Sequence, residues 1–131
     1  MALGSNLGDR EEHLRAARAA LAALPDTTLV AQSSVEETAP LGGMDQPPYL
    51  NQMVLLETSL EPRALLSALH AIESREGRRR SQRWGARTLD LDIVRFGERQ
   101  LKDQDLIIPH PELWNRDFWL RELAEIDAHE R

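Results

Sequence analysis

The chain has 131 residues, 41% hydrophobic and 29% charged, with a formal net charge of −6. That is a globular composition, enough for a single domain spanning residues 1–131 with its own core and too apolar for a disordered chain. It contains no cysteine, which excludes disulfides, thiolate zinc sites and thiol nucleophiles. No apolar run approaches the roughly 20 residues that cross a bilayer, and the first residues lack a secretory pattern, so a cytoplasmic monomer without membrane contact is the simplest expectation.

In chain order, Met1–Leu3 are apolar and lead into Gly4-Ser5-Asn6-Leu7-Gly8, which reads as a turn. Asp9 followed by Glu12 has the spacing of a helix capping box. Leu14, Ala17, Leu21 and Leu24 then recur at helical intervals until Pro25. Residues 28–37 are rich in β-formers and predict a strand. Residues 38–48 form a loop of Gly and Pro too long for a hairpin, and residues 50–59 predict a second long strand. Pro62 stands where a first helical turn accepts proline, Leu65, Leu69 and Ile72 mark a buried stripe, and Gly77 closes that helix. Residues 89–96 predict a further strand, residues 97–108 a small ribbon or an irregular excursion, and residues 111–126 short helices. The resulting order is βαββαβ with a helical tail. This is an α+β plan of the ferredoxin-like kind, with a four-stranded antiparallel sheet, helices packed on it and a helical C-terminal tail. Such a plan does not choose among functions.

The most informative stretch is Arg83-Trp84-Gly85-Ala86-Arg87-Thr88-Leu89-Asp90-Leu91-Asp92-Ile93. In a strand, side chains alternate faces, so Asp90 and Asp92 point one way while Leu89, Leu91 and Ile93 point into a core. Two carboxylates roughly 7 Å apart repel by about 2 kcal/mol at an effective dielectric near 20. Aspartate is also a poor strand former. A hard divalent cation such as Mg²⁺, which takes oxygen ligands, would relieve both problems. Arg78, Arg79, Arg80, Arg83 and Arg87 lie close by in a stretch with no acid. Guanidinium forks match phosphate oxygens, so a small polyanion is the expected partner of this basic island. The acidic chain as a whole is unsuited to nucleic acid. An Asp-x-Asp pair by itself is commonly a solvated surface; the one-sided acids, the apolar opposite face and the basic loop together favour metal–phosphate chemistry.

Five segments in order carry a resemblance: Gly4-Ser5-Asn6-Leu7-Gly8, Thr38-Ala39-Pro40-Leu41-Gly42, Gln46-Pro47-Pro48-Tyr49-Leu50-Asn51, residues 83–92, and Pro109-His110 with Asn115-Arg116-Asp117-Phe118. Together they resemble the 6-hydroxymethyl-7,8-dihydropterin pyrophosphokinases of folate biosynthesis over nearly the whole chain. The resemblance implies transfer of a diphosphate from ATP, as co-substrate, to the pterin hydroxymethyl group with release of AMP, assisted by two Mg²⁺ ions. It implies Asp90 and Asp92 as metal ligands, with Asp92 also a candidate proton acceptor. Tyr49 and Phe118 are implied as ring-stacking partners and Asn51 as the reader of the pterin edge, aided by Thr38, Leu41 and Trp84. On the nucleotide side it implies Arg78 and Arg87 as catalytic phosphate clamps, with His70, Glu73, Ile93, His110 and Arg116 in contact with ATP. Read without the resemblance, Tyr49 and Phe118 suit a core, His110 an exposed turn, and His70 with Glu73 a solvated helix face. Asn51 stands out, because a buried amide in an apolar strand must find partners.

The loops at 38–48 and 78–87 are expected to act as lids that exclude water. The chain departs from its relatives in several places. Its first strand is short, which leads to the expectation of an upstream start or a trimmed chain, and its C-terminus is short as well. Residues 77–84 are one residue fewer, which makes Arg79 and Arg80 interchangeable, and Ala39 replaces a common proline. Competing readings are an RNA-binding or ligand-sensing module of the same fold and another phosphoryl or nucleotidyl transferase. An aromatic content of 5% and the acidic balance disfavour RNA, and a sensor does not need paired aspartates.

Overall fold

A computed structural model describes residues 1–6, 8–39, 48–76 and 89–129. The elements are β1 (Ala2–Ser5), α1 (Arg10–Ala22), β2 (Thr27–Gln32), β3 (Glu36–Thr38), β4 (Tyr49–Thr58), α2 (Pro62–Arg75), β5 (Asp90–Asp92), β6 (Leu101–Lys102), β7 (Ile107–Ile108) and α3 (Asp117–His129), with a short 3₁₀ turn at Leu113–Asn115. The main sheet is antiparallel in the order β2-β4-β1-β5, with β3 also paired to β4. β6 and β7 form the small separate ribbon expected between residues 97 and 108.

Helix α1 begins where Asp9 accepts a hydrogen bond from the Glu12 backbone N–H at 3.2 Å. Only half of the expected capping box forms, because the Glu12 carboxylate turns to Arg15 one turn along. Gly8 adopts φ +74°, a left-handed conformation that suits glycine, and a Cβ there would stand 3.2 Å from His13 Nε2. Helix α2 carries Pro62 in its first turn, as its sequence predicts. Gly77, its expected stop, lies outside the described residues.

Three expectations are corrected. The strand at 28–37 is two pieces, because the chain breaks from β4 after Gln32 and rejoins it at Glu36 one position out of register; within the first piece the register also shifts between Leu29 and Ala31. The shift places Leu29 in the cluster under α1 and α2 and Ala31 in the one under α3, as expected of a bulge that changes which face a strand presents. The strand at 89–96 is confined to Asp90–Asp92, since its partner β1 opens at Ala2, which pairs with Asp92. Beyond it Ile93 and Val94 are still buried, one in each cluster. Finally, Gly4 and Ser5 belong to β1, so the turn starts after them.

The sheet separates two apolar clusters. Leu14, Ala17 and Leu21 of α1 and Leu65, Leu69 and Ile72 of α2 pack on Leu3, Leu50, Leu89 and Leu91. On the other face Leu113, Trp119 and Ile126 pack on Ala2, Met53 and Val94. No helix among the described residues is long and apolar enough to cross a membrane.

Candidate active site

Register builds the site. In antiparallel pairs, residues directly opposite one another share a face. Gly4 of β1 is opposite Asn51 of β4 on one side and Asp90 of β5 on the other, while Ala2 is opposite Met53 and Asp92. Glu36 of β3 continues the first row, opposite Asn51. Asp90 and Asp92 therefore share the α3 face of the sheet, partly exposed, while Leu89, Leu91 and Ile93 are buried in the cluster beneath α1 and α2. Alternation along the sequence predicts this arrangement.

The edge of β5 is held by Glu73. Its carboxylate, buried on α2, accepts the Leu91 backbone N–H at 2.9 Å, between the two aspartates. Glu73 is thus no solvated surface residue, whereas His70, one turn earlier, is exposed. A cleft of about 370 Å³ at this edge is lined by His70, Glu73, Asp90, Asp92, Ile93 and His110, together with residues of the β6–β7 connection. It brings together most of the described residues that the resemblance places near ATP. Ile93 both lines the cleft and packs in the core.

His110 is fixed from three sides. Its Nδ1 accepts the Glu112 N–H at 3.0 Å, which leaves Nε2 to carry the proton. Nε2 stands 3.9 Å from Asp92 Oδ1. The ring meets Trp119 edge-on at 4.9 Å. Burial lowers its pKa below the usual histidine value and Arg116 adds to that, while Asp92 and Glu112 pull the other way; the net result favours a neutral N–H donor at neutral pH. Arg116 lies over the opposite partner of this trio, its guanidinium carbon 4.4 Å from the Trp119 ring centroid.

The second half of the site lies across Gly4. Asn51 is buried and donates its side-chain N–H to the Thr38 hydroxyl, which supplies the partner that a buried amide requires. Tyr49 is opposite Thr38 in the register and half-buried. A Cβ on Gly4 would lie 3.3 Å from Asn51 Oδ1 and 3.6 Å from Tyr49 Cδ1, so the missing side chain keeps the floor between these groups open. Phe118 is half-buried at the start of α3 and packs against the α3 cluster. Arg10 ties the start of α1 to this wall through Pro48 O at 2.8 Å and Glu37 at 3.4 Å. Leu41, Arg78, Trp84 and Arg87, with Arg79, Arg80 and Arg83, the whole expected lid at 78–87 and residues 40–47 of the other, lie outside the described residues.

Sequence reasoning missed three features. Trp119 carries both His110 and Arg116; its spacing of three from Arg116 on a helix start was the available signal. Gly4 separates the two half-sites, which only the register reveals. Beneath α3, Glu122 is 2% exposed, and neither of its oxygens, nor Glu36 Oε1, meets a hydrogen-bond donor among the described residues. Burial pushes the Glu122 carboxyl up to about 9, and the Glu36 carboxylate beside it adds to the rise, by its charge and as an acceptor for the proton that Glu122 then holds. A proton held on Glu122 is what allows these two carboxyls to meet.

Residues 1–128 match the protein family described as 7,8-dihydro-6-hydroxymethylpterin-pyrophosphokinase (HPPK). Among similar proteins are three named 2-amino-4-hydroxy-6-hydroxymethyldihydropteridine pyrophosphokinase. That of Pseudomonas aeruginosa is 48% identical over 96% of this chain and 78% of its own length. That of Bacillus subtilis is 47% identical over 96% and 75%, and that of Haemophilus influenzae 46% identical over 96% and 79%. With a family match from end to end of the described sheet, and relatives of this similarity, the chain belongs to the HPPK family of pyrophosphokinases.

Proposed function

We propose that this chain transfers a diphosphate from ATP to the hydroxymethyl oxygen of 6-hydroxymethyl-7,8-dihydropterin, releasing AMP, as a step of folate biosynthesis. The observation that carries the reading is the row Asn51–Gly4–Asp90 across three neighbouring strands. At about 4.8 Å per strand its ends are roughly 10 Å apart. A heterocycle read by Asn51 at one end can present an arm over Gly4 to a triphosphate held at Asp90 and Asp92. The strand order, with β2 and β3 taken as one interrupted strand, supports the ferredoxin-like plan.

The donor set fits Mg²⁺. Two partly exposed carboxylates share a face, and no group of three or more His, Cys, Asp or Glu among the described residues forms a metal cage. Magnesium commonly binds one or two carboxylates and completes its shell with phosphate and water. Two bound Mg²⁺ ions would supply charge neutralisation on the triphosphate and acidify the pterin hydroxyl. Asp90 and Asp92 are their ligands in this reading. Neutral His110 donates from Nε2 to a phosphate oxygen, and Arg116 offers its guanidinium alongside. Arg78 and Arg87 are assigned as further phosphate clamps, and Trp84 and Leu41 to the pterin side. Asn51 with Thr38 reads the ring edge, and Tyr49 and Phe118 offer aromatic faces. His70 stands at the cleft's exposed rim. Glu73 acts chiefly by holding β5 in place through Leu91. The pterin hydroxyl gives up its proton, with Asp92 the candidate acceptor, and its oxygen bonds to the β-phosphorus as the bond from that atom to the oxygen it shares with the α-phosphorus breaks and AMP leaves; positioning and electrostatics supply most of the catalysis.

The test is incubation with ATP, Mg²⁺ and 6-hydroxymethyl-7,8-dihydropterin. AMP and a pterin diphosphate should form in equal amounts and only when the metal is present. ADP as the nucleotide product would assign simple kinase chemistry and overturn the reading.

A further inference from the structure

Arg116 has a long side chain, and its Nε is buried without a hydrogen-bond partner among the described residues. What it does have is the face of Trp119, 4.4 Å from its guanidinium carbon. Backbone geometry keeps the two together, because the Trp119 N–H bonds to the Arg116 carbonyl at 3.0 Å. On the same indole rests the edge of His110, at 4.9 Å and an interplanar angle of 89°. His110 has further restraints from the Glu112 N–H and from Asp92. Trp119 itself is buried among Ala2, Met53, Val94, Leu113 and Ile126, so it is anchored to the same sheet face that carries Asp90 and Asp92.

We infer that Trp119 is a positioning residue for the nucleotide half of the site: its indole aims Arg116, and to a lesser degree His110, at the triphosphate. The inference rests on the proposed roles of Arg116 and His110 and adds to them the group that sets their direction. A cation over an aromatic face loses attraction when the ring is removed, and an aliphatic replacement of a buried indole also leaves part of its volume empty. Leucine and phenylalanine both underfill the site but only phenylalanine offers a ring face, so the comparison of the two separates aiming from packing.

The experiment compares Trp119→Leu, Trp119→Phe and Arg116→Ala in the Mg²⁺-dependent transfer assay, with KM measured separately for ATP and for pterin. Trp119→Leu should raise the KM for ATP roughly tenfold and leave that for pterin within about twofold. Trp119→Phe should recover most of the loss. Adding Trp119→Leu to Arg116→Ala should cost less than it does alone, since its main target is gone. Thermal unfolding of each variant registers damage to packing. If Arg116→Ala leaves the KM for ATP unchanged, the phosphate role of Arg116 falls and the inference with it. If Arg116→Ala raises that KM but Trp119→Leu does not, or Trp119→Leu raises both KM values alike, or Trp119→Phe is as poor as leucine, the phosphate role stands and the positioning role is overturned.

Discussion

Beneath α1 and α2 the sheet presents Leu3, Leu50, Leu89 and Leu91 to helical leucines, whereas beneath α3 it presents Asp90, Asp92, Asn51 and Glu36 beside a smaller apolar cluster. The contrast extends to hydrogen bonding. On the first face Gln52 is satisfied by Arg18 at 2.8 Å and by Ser33 O at 2.7 Å. Of the buried side-chain atoms without partners among the described residues, those of Glu36, Arg116 and Glu122 belong to the α3 side, and Ser5 Oγ is the exception. Two helices seal one face and secure the fold. One helix half-covers the other, and polar groups left there are available to bind.

The contrast breaks most sharply at the aspartates. Asp90→Ala or Asp92→Ala should lower diphosphate transfer at least about 1000-fold, because the charge stabilisation they organise is lost. Both are partly exposed, so the cost in stability should stay within about 1 kcal/mol. Activity within about tenfold of the parent in both variants, or a collapse in unfolding midpoint, would show that the pair serves the fold instead.

Glu122 sharpens the same contrast from the stability side. Its carboxyl is raised from an ordinary 4.5 to about 9. The folded chain therefore holds a proton that the unfolded chain has lost between those values. The stability associated with that proton is whole below about pH 4.5 and declines as pH rises toward 9. Glu122→Gln is permanently neutral and can donate to Glu36, so it should gain about 3 kcal/mol over the parent at pH 7, a gain that vanishes below about pH 4. Denaturant unfolding across this range measures it. A parent stability that is flat between pH 5 and 8 would mean Glu122 is not held protonated.

The first face was the easier one to read. Leu14, Ala17 and Leu21, and Leu65, Leu69 and Ile72, announce their helices because a helix buries one stripe and its spacing survives in the sequence. The same logic over two residues aimed Asp90 and Asp92. The break between Gln32 and Glu36 was not legible, since it depends on register with β4. Nor was the short span of β5, which ends where β1 opens. Site residues entered through matched motifs, but their roles followed only in part. Glu73 looked like a surface acid because its partner, the Leu91 N–H, is 18 positions away. Trp119 carried no reading of its own in the sequence; it is core, with the Arg116 guanidinium over its face and the His110 ring edge-on to it.

Glu73 is the exception on the sealed side: a polar group placed there to serve the open side. Glu73→Ala leaves the Leu91 N–H without its acceptor and should cost about 2 kcal/mol of stability. Loosening the strand between the aspartates should also reduce turnover, by roughly tenfold. Glu73→Gln keeps an oxygen in place and should lose much less of both. Equal losses in the two variants would indicate that the charge, and not the hydrogen bond, is what matters.

The smallest change tests whether the open face works as one surface. Gly4→Ala adds a single methyl, 3.3 Å from Asn51 Oδ1 and 3.6 Å from the Tyr49 ring. The first distance is tight enough that Asn51 must shift, and its bond to Thr38 would shift with it. The aspartates lie on the other side of the glycine and are reached through backbone pairing, which a methyl leaves intact. The expected outcome is a rise of roughly tenfold in the KM for pterin, with that for ATP within about twofold. Crystals of the variant with pterin should show the ring displaced from Asn51. Unchanged kinetics for both substrates would mean that the pterin does not cross Gly4, and the link between the half-sites would have to be sought elsewhere. Equal losses for both substrates would point to a general distortion of β1. Only the asymmetric result ties Asn51 and Asp90 to the two ends of a single reaction path.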